Sequence, residues 1–341
     1  MSSFPSKHAF AFCLAALIAA FVLAIGLGTS SASFAELWAM MRGVSDPDGA
    51  DLVRTILLNI RLPRVLVAAL CGGAMAGAGV ASQGLFRNPL ASPSVLGTES
   101  GGSLAAVLLF YLGPRVAHIY AMPLAAGTGA LLTTMLVLRF AKTARGAPLE
   151  VLLLTGLAIS TLFGAVVSLV ISLSLEDYQK AGAIMHWLLG GFSAKGWEHV
   201  ALAALPTALG LALLLHLAPR LDVLSLGEDV AKSVSLNVDK TRRLTIATVS
   251  ILVGGALACA GALPFVGLVV PHLSRQLVGP AHKRLAIIAT INGMTLTILA
   301  DLVARTVRAP AEIEVGIVTA LIGAPFFLHQ LAKRSREVSD V

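Results

Sequence analysis

Charge is scarce in this chain. Asp, Glu, Lys and Arg make up only 13% of its 341 residues, against 57% hydrophobic residues and a mean hydropathy of +0.86. So little polar surface cannot coat a soluble globule of this length, which excludes the soluble classes and leaves a polytopic membrane protein. A phosphate-binding Gly-x-x-x-x-Gly-Lys-Ser/Thr segment is also missing, so energy for any uphill work must come from another subunit or from an ion gradient. Cysteine is limited to Cys13, Cys71 and Cys259, odd in number, all within apolar runs and without metal-ligand spacing; they read as small helix-packing residues. The net charge of +7 lacks the basic stripe interleaved with aromatics that a nucleic-acid face needs. Its lysines and arginines stand in short clusters between apolar runs and read as topology determinants.

What is present is a series of apolar spans. The first, Ala9 to Gly28, follows Lys7-His8 and precedes Thr29-Ser30-Ser31-Ala32-Ser33, which loosely mimics a secretion signal. At about 20 residues it is long for a signal h-region and is expected to be a retained first helix. Further spans are predicted at Val65 to Leu85, Val95 to Leu112, Ile119 to Phe140, Leu149 to Leu173, Val200 to Leu217, Leu244 to Val278, Leu285 to Val303 and Val315 to Leu331. Leu244 to Val278 would be over 50 Å long as one helix, far beyond a hydrocarbon core of about 30 Å, so it is expected to fold back around Ala262-Leu263-Pro264-Phe265. The fold class is therefore all-α, with about ten transmembrane helices in a single unit over residues 1–341.

An even number of crossings puts both termini in the cytoplasm. It also places Arg139, Lys142 and Arg145, the group Arg220, Lys232, Lys240, Arg242 and Arg243, the group Arg275, Lys283 and Arg284, and Lys333, Arg334 and Arg336 on the inner side. Arg42, Arg54, Arg61 and Arg64 then lie outside, against the trend, which invites a functional reason. A shift of 182 positions (72 to 254) aligns Gly72-Gly73-Ala74 and Gly79 with Gly254-Gly255-Ala256 and Gly261, and Pro89, Ser92 and Gly97 with Pro271, Ser274 and Gly279. In this topology the two copies run in opposite senses, the inverted repeat of transporters whose pathway lies between halves.

Three segments carry candidate function. Arg61-Leu62-Pro63-Arg64 stands at the mouth of the glycine-rich second span, which ends in the proline-broken turn Phe86-Arg87-Asn88-Pro89-Leu90-Ala91-Ser92-Pro93. The polar segment 219–243 holds a short amphipathic helix. Ser225 or Gly227 is placed to cap it, Glu228 and Asp229 fill its first turn, and Asn237 is expected to close it in the left-handed conformation. The fifth span carries Gly156, Ser160, Gly164 and Ser168 at four-residue spacing, a small-residue face suited to helix packing or to a pathway wall. Glu99 and Asp301 are intramembrane carboxylates, but both fall near helix ends, where pairing or capping fits better than a proton relay.

These segments, with Leu226-Gly227-Glu228-Asp229-Val230-Ala231 and Leu236, Ala260-Gly261-Ala262-Leu263-Pro264-Phe265-Val266-Gly267, Ala300-Asp301-Leu302-Val303-Ala304-Arg305 and Gly316-Ile317-Val318-Thr319-Ala320-Leu321-Ile322-Gly323-Ala324-Pro325-Phe326-Phe327, resemble the membrane subunits of the ATP-binding-cassette importers for iron-siderophores, haem and cobalamin, from about Leu52 to Lys333. The resemblance implies a homodimer with a central pathway, two cytoplasmic ATPase subunits that hold ATP and Mg, a periplasmic binding protein, and no cofactor or catalytic residue in this chain. It also implies that Arg61, Arg64 and Arg305 meet acidic residues of the binding protein, and that Gly227, Glu228, Ala231 and Leu236 form the coupling helix in the ATPase cleft. Asn88 and Leu90 become the cytoplasmic gate, with Leu149 and Glu150 as a looser second gate. The fifth helix and the tenth, with Gly316, Thr319 and Gly323, line the channel.

Two other classes stay in play, an ion-gradient secondary transporter and a receptor or scaffold that moves nothing; the amphipathic loop argues against the first and the inverted repeat against the second. The outer segment 174–199, with Tyr178, Met185, His186 and His199, contains haem-ligand residue types. Ferric siderophore, haem and cobalamin all remain open as cargo.

Overall fold

The structure is a computed structural model that describes residues 6–28, 47–112, 120–141 and 149–339, with a few helix-terminal side chains left aside. Arg42, the 29–33 segment, Lys142 and Arg145, and the side chains of Leu149, Lys333, Arg334 and Arg336 lie outside the described set. Among the described residues every regular element is helical. In chain order these are α1 (Ser6–Gly26), α2 (Pro47–Thr55), α3 (Leu62–Phe86), α4 (Thr98–Leu112), α5 (Ala121–Ala141), α6 (Leu149–Leu173), α7 (Tyr178–Leu189), α8 (Trp197–Ser225), α9 (Glu228–Ser233), α10 (Val238–Ala260), α11 (Val266–Val278), α12 (His282–Thr306) and α13 (Val315–Ser339).

Among the described residues, seven stretches are long and apolar enough to cross a membrane: 8–26, 51–86, 121–140, 150–173, 197–225, 238–260 and 282–306. α13 adds a shorter apolar segment at 315–330. α4 and α11, at 15 and 13 residues, reach only about 20 Å each at 1.5 Å per residue. Each follows a non-helical or tightly turned stretch, 87–97 and 261–265, that supplies the remaining depth where the backbone is covered by protein. The fold-back expected near 262–265 is therefore real. Gly261 leaves α10 at φ 67°, and Phe265 precedes α11 at φ 64°.

Two boundaries differ from the sequence reading. α2 runs through one π-helical turn (Ile56–Arg61) straight into α3, so the second span begins well before Val65 and Arg61 sits inside a continuous helix. α8 passes through Pro206 and Pro219 and ends only at Ser225, so the first part of the polar segment 219–243 is helix. Neighbouring helices tolerate such prolines in membrane spans by re-satisfying the freed carbonyls.

α3 is the axis of the bundle, wrapped by α8, α10, α11 and α12. Its glycines make this possible. A Cβ on Gly79 would stand 1.9 Å from the Gly267 carbonyl oxygen of α11, and one on Gly72 would stand 2.2 Å from the Thr297 hydroxyl of α12. With no hydrophobic force between helices in lipid, backbone approach of this kind is what holds the helices together. Cys13, Cys71 and Cys259 are buried and free; Cys71 on α3 lies with its Sγ 3.7 Å from the Ala256 carbonyl of α10. Following the chain back and forth, α3, α5, α8 and α13 end at one face of the bundle together with α9, and the opposite face carries the ends of α1, α6 and α12 with α7.

Candidate functional site: a gated cavity, a docking helix and an arginine network

The turn after α3 is built by local hydrogen bonding. Arg87, at φ 49°, closes the helix with its N–H on the Gln83 and Gly84 carbonyls. The Asn88 side-chain oxygen accepts the Leu90 N–H at 2.9 Å, and the Asn88 carbonyl accepts from Ala91 at 3.0 Å. Asn88 is thus a turn-former through its oxygen, and the residue is exposed. Pro93 then opens a 3-10 turn (Pro93–Leu96), and Gly97 at φ 71° leads into α4.

This turn is one wall of a cavity of about 840 Å³ whose lining includes Phe86, Arg87, Asn88, Leu90, Ser94, Glu99, Ser100, Glu150, Leu153, Leu157 and Ser160. Residues drawn from three distant stretches of sequence, the gate turn, the start of α4 and α6, converge here. Ser160 of α6 pairs with Ser100 of α4 at 3.2 Å. Gly156 lies against the Val95 carbonyl, where a Cβ would stand 2.1 Å away, so it seats α6 on the turn and does not face the cavity. Gly164 has nothing within 4 Å of a would-be Cβ, and Ser168 is exposed. The small-residue face of α6 is therefore split, packed at its first half and open at its second.

The tenth-helix face behaves differently from the expectation. A Cβ on Gly316 would meet the Leu189 carbonyl oxygen at 2.0 Å, one on Gly323 would meet the Phe265 side chain at 2.2 Å, and Thr319 is buried with its hydroxyl on the Gly316 carbonyl. Gly316 and Gly323 are packed within their own chain, against the end of α7 and the 262–265 fold-back, and do not line an open path. Thr319 and Gly323 also border a separate apolar cavity of about 400 Å³ between α11, α12 and α13.

At the same face as the gate turn stands α9. Gly227, at φ 120°, is its N-cap, and Glu228 and Asp229 occupy its first turn. The closing residue is Ser235 at φ 59°, not Asn237. Asn237 has φ −75° and caps the next helix, its side-chain oxygen accepting the Lys240 N–H at 2.9 Å. The sequence supplies two candidates for one left-handed position, and Asn237 serves better as an N-cap for α10. Ala231 is buried and Leu236 is packed on the core, so both face the protein. Glu228 pairs with Arg242 of α10. The outward side instead shows Leu226 at 71% exposure, Val230 at 43% and Val234 at 60%. Sequence reading missed these three, since Leu226 and Val234 lie just outside the six-residue helix and only Val230 lies on it.

Nearby, Asp222 near the end of α8 accepts both the backbone N–H of His282 at 2.8 Å and a contact from its ring Nδ1 at 2.6 Å. The His282 ring in turn covers Gly84, where a Cβ would stand 2.6 Å from Nε2. Gln83 accepts from Arg275 of α11 at 2.8 Å. The segment bearing the docking helix and the end of α3 that bears the gate turn are thus joined through one histidine.

On the opposite face the three arginines form an internal network. Arg64 grips Asp301 with Nε and Nη2 at 2.7 to 3.1 Å and Glu312 with Nη1 and Nη2 at 2.8 and 3.0 Å. Arg305 lies 3.6 Å from Asp301 and donates to the Ala24 carbonyl, and Arg61 donates to Ile25 and Gly26 at 2.8 and 3.4 Å. Arg61 and Arg305 are therefore buried C-caps of α1, satisfying its last carbonyls, and these two of the three arginines implied to meet the binding protein are not exposed in this chain. Burial alone would raise the Glu312 carboxyl, but the hydrogen bond and charge of Arg64, with Arg305 behind it, hold it below the usual carboxylate range.

Of the haem-type residues, Tyr178 and Met185 are exposed, His186 meets Glu314 at 3.0 Å, and His199 is buried against Glu198 at 3.1 Å. No group of three metal-type ligands occurs among the described residues.

A family model described as the FecCD transport family matches residues 16–333. The chain belongs to the FecCD transport family. It is 38% identical over 331 residues to the hemin transport system permease protein HmuU of Yersinia pestis, covering 94% of this chain and 95% of that protein. It is 38% identical over 308 residues to the ABC transporter permease protein YvrB of Bacillus subtilis, covering 89% of this chain and 86% of that one. Among solved structures, an ABC transporter assigned to the metal-chelate type, in an inward-facing conformation, matches with a TM-score of 0.84 at 33% identity over 96% of this chain and 99% of that chain. This FecCD member is a multi-pass permease of the bacterial inner membrane, of the family of ABC importers that handle iron chelates, cobalamin and related cargo.

Proposed function

We propose that this permease is the membrane subunit of an ATP-driven importer, working as a homodimer with two ATPase chains on the cytoplasmic face and a binding protein on the outer face. The observation that carries this reading is α9. A six-residue helix that turns Val230 to solvent, flanked by the exposed Leu226 and Val234 and braced from behind by Ala231, Leu236 and the Glu228–Arg242 pair, has the makeup of an interface core with a polar rim. ATP and Mg belong to the partner, which supplies the driving force. Displacement of α9 and the end of α8 would reach the gate turn through the Asp222–His282–Gly84 contact.

The orientation follows the charge. Arg139, Arg220, Lys232, Lys240, Arg242, Arg243, Lys283 and Arg284 belong to the face that carries α9, and by the positive-inside rule we read that face as cytoplasmic, with the start of α1 and the end of α13 on it. On the outer face, Arg64 and Glu312 reach closest to solvent. A carboxylate of the binding protein would compete with Glu312 for the Arg64 fork, while Arg61 and Arg305 add positive field behind it. The exposed leucines of α6, together with Gly164 and Ser168, are the surface offered to the second protomer and the pathway. The cargo is a ferric siderophore, haem or cobalamin; the relatives are named for several of these and their names do not choose among them.

A secondary transporter would need a free carboxylate at mid-membrane; Glu99 is unpaired but stands in the first turn of α4, beside the gate turn at the end of its helix. Asp301 is held by Arg64 and Arg305, and its helix position is near the outer end. The test is copurification. Val230→Asp or Leu226→Asp should release the ATPase chain while leaving the thermal unfolding temperature of the permease within about 2 °C of the parent, since exposed changes away from packed sites cost little. Retention of the ATPase by both variants would refute the docking role of α9.

A further inference from the structure

The inner cavity carries three ionisable side chains, Arg87, Glu150 and Glu99, so acidic groups outnumber basic ones by one in its wall. They are not equivalent. Arg87 and Glu150 are exposed at the mouth, where solvent and salt screen them. Glu99 lies deeper, in the first turn of α4, and has no hydrogen-bond or ion-pair partner among the described residues. The helix dipole favours a carboxylate at that position without neutralising it. Around it the wall offers the hydroxyls of Ser100 and Ser160, which are already paired with each other at 3.2 Å. In its ionised form an unpaired carboxylate set in low-dielectric walls focuses its field into the cavity.

We propose that Glu99 sets the charge preference of the pathway, so that the cavity favours cargo presenting positive charge or hydrogen-bond donors and disfavours polycarboxylate chelates. This rests on the reading of the cavity as part of the conduit. The cavity volume of about 840 Å³ suits a compact chelate. A carboxylate in the wall with no ion-pair partner raises the local concentration of cationic groups and does not grip them, which is what a conduit needs.

The full chain, with Cys13, Cys71 and Cys259 replaced by alanine and a single reporter introduced as Leu157→Cys, is placed in lipid vesicles and treated with a cationic and an anionic methanethiosulfonate of similar size. The cationic reagent should react faster by about tenfold, relative to the ratio at a free thiol, because the wall focuses the field. Glu99→Gln should bring the ratio close to that of the free thiol, Glu99→Asp should keep most of it, and Glu150→Gln should change it little. An unchanged ratio in Glu99→Gln, or a loss in Glu150→Gln alone, overturns the proposal. The conduit reading is tested separately by ATP-dependent uptake of two ferric chelates in the assembled complex, a trihydroxamate bearing a free ammonium and a citrate chelate. Absence of uptake of both defeats the conduit reading whatever the thiol ratio, whereas equal uptake with an unchanged ratio in Glu99→Gln defeats only the charge preference.

Discussion

Single side chains decide more at the outer face than the sequence shows. Arg64 looks like a free fork beside a proline, yet it is the common partner of Asp301 and Glu312, whose side chains come from the end of α12 and the loop beyond it. Asp301 is 1% exposed, so Arg64→Ala strands a buried carboxylate, and such a loss destabilises by about 3 to 5 kcal/mol. Thermal unfolding in detergent should show this as a clear drop in melting temperature that a second change, Asp301→Asn, partly restores. A melting temperature unchanged in Arg64→Ala would mean that the network carries no stability. Glu312 gives a pH signature. Its carboxyl is lower in the folded chain than in the unfolded one, so its contribution is complete above the unfolded value of about 4.3 and disappears as pH falls through the folded value. The stability gap between the parent and Glu312→Gln should be constant at neutral pH and close in acid below about pH 4. A gap that widens in acid would contradict the assignment.

At the level of elements, the spans themselves were legible, because a mean hydropathy this high leaves little choice of which segments enter the membrane. Leu149 to Leu173 coincides with α6, and the overlong 244–278 run breaks where a proline and two glycine-like φ values demand it. The face that a small residue presents was not legible. Gly164 and Gly316 belong to similar motifs, but one faces open space and the other a backbone carbonyl, a difference set by crossing points that no periodicity encodes. Gly164→Ala should therefore leave melting temperature and expression as they are. Gly316→Val should force the start of α13 away from Leu189 and destabilise by about 1 to 3 kcal/mol or more, as overpacking does. Equal tolerance of both changes in a thermal-shift assay would show that α13 does not sit where it is placed. The Asn237 error has the same origin: Asn serves equally as a helix closer and as an N-cap, and only the loop length between α9 and α10 chooses.

For the whole molecule, the gate turn, the start of α4 and the inner half of α6 had been singled out separately in the sequence, and their meeting at one cavity is what the fold adds. The outer arginine network and the α9 docking helix stand at opposite faces of the same bundle, with α3, anchored at Arg64 and ending at the gate turn, running between them. That arrangement suits a conduit worked from outside itself, with no phosphate-binding loop in the chain and Asp301 held in ion pairs. The most direct measurement is transport by the purified permease in sealed vesicles, with an imposed proton or sodium gradient, with and without its ATPase partner and ATP. The account predicts no uphill accumulation of a ferric chelate, haem or cobalamin by the permease alone under any gradient, and accumulation once the ATPase, ATP and a loaded binding protein are supplied. Accumulation driven by the gradient alone would contradict it.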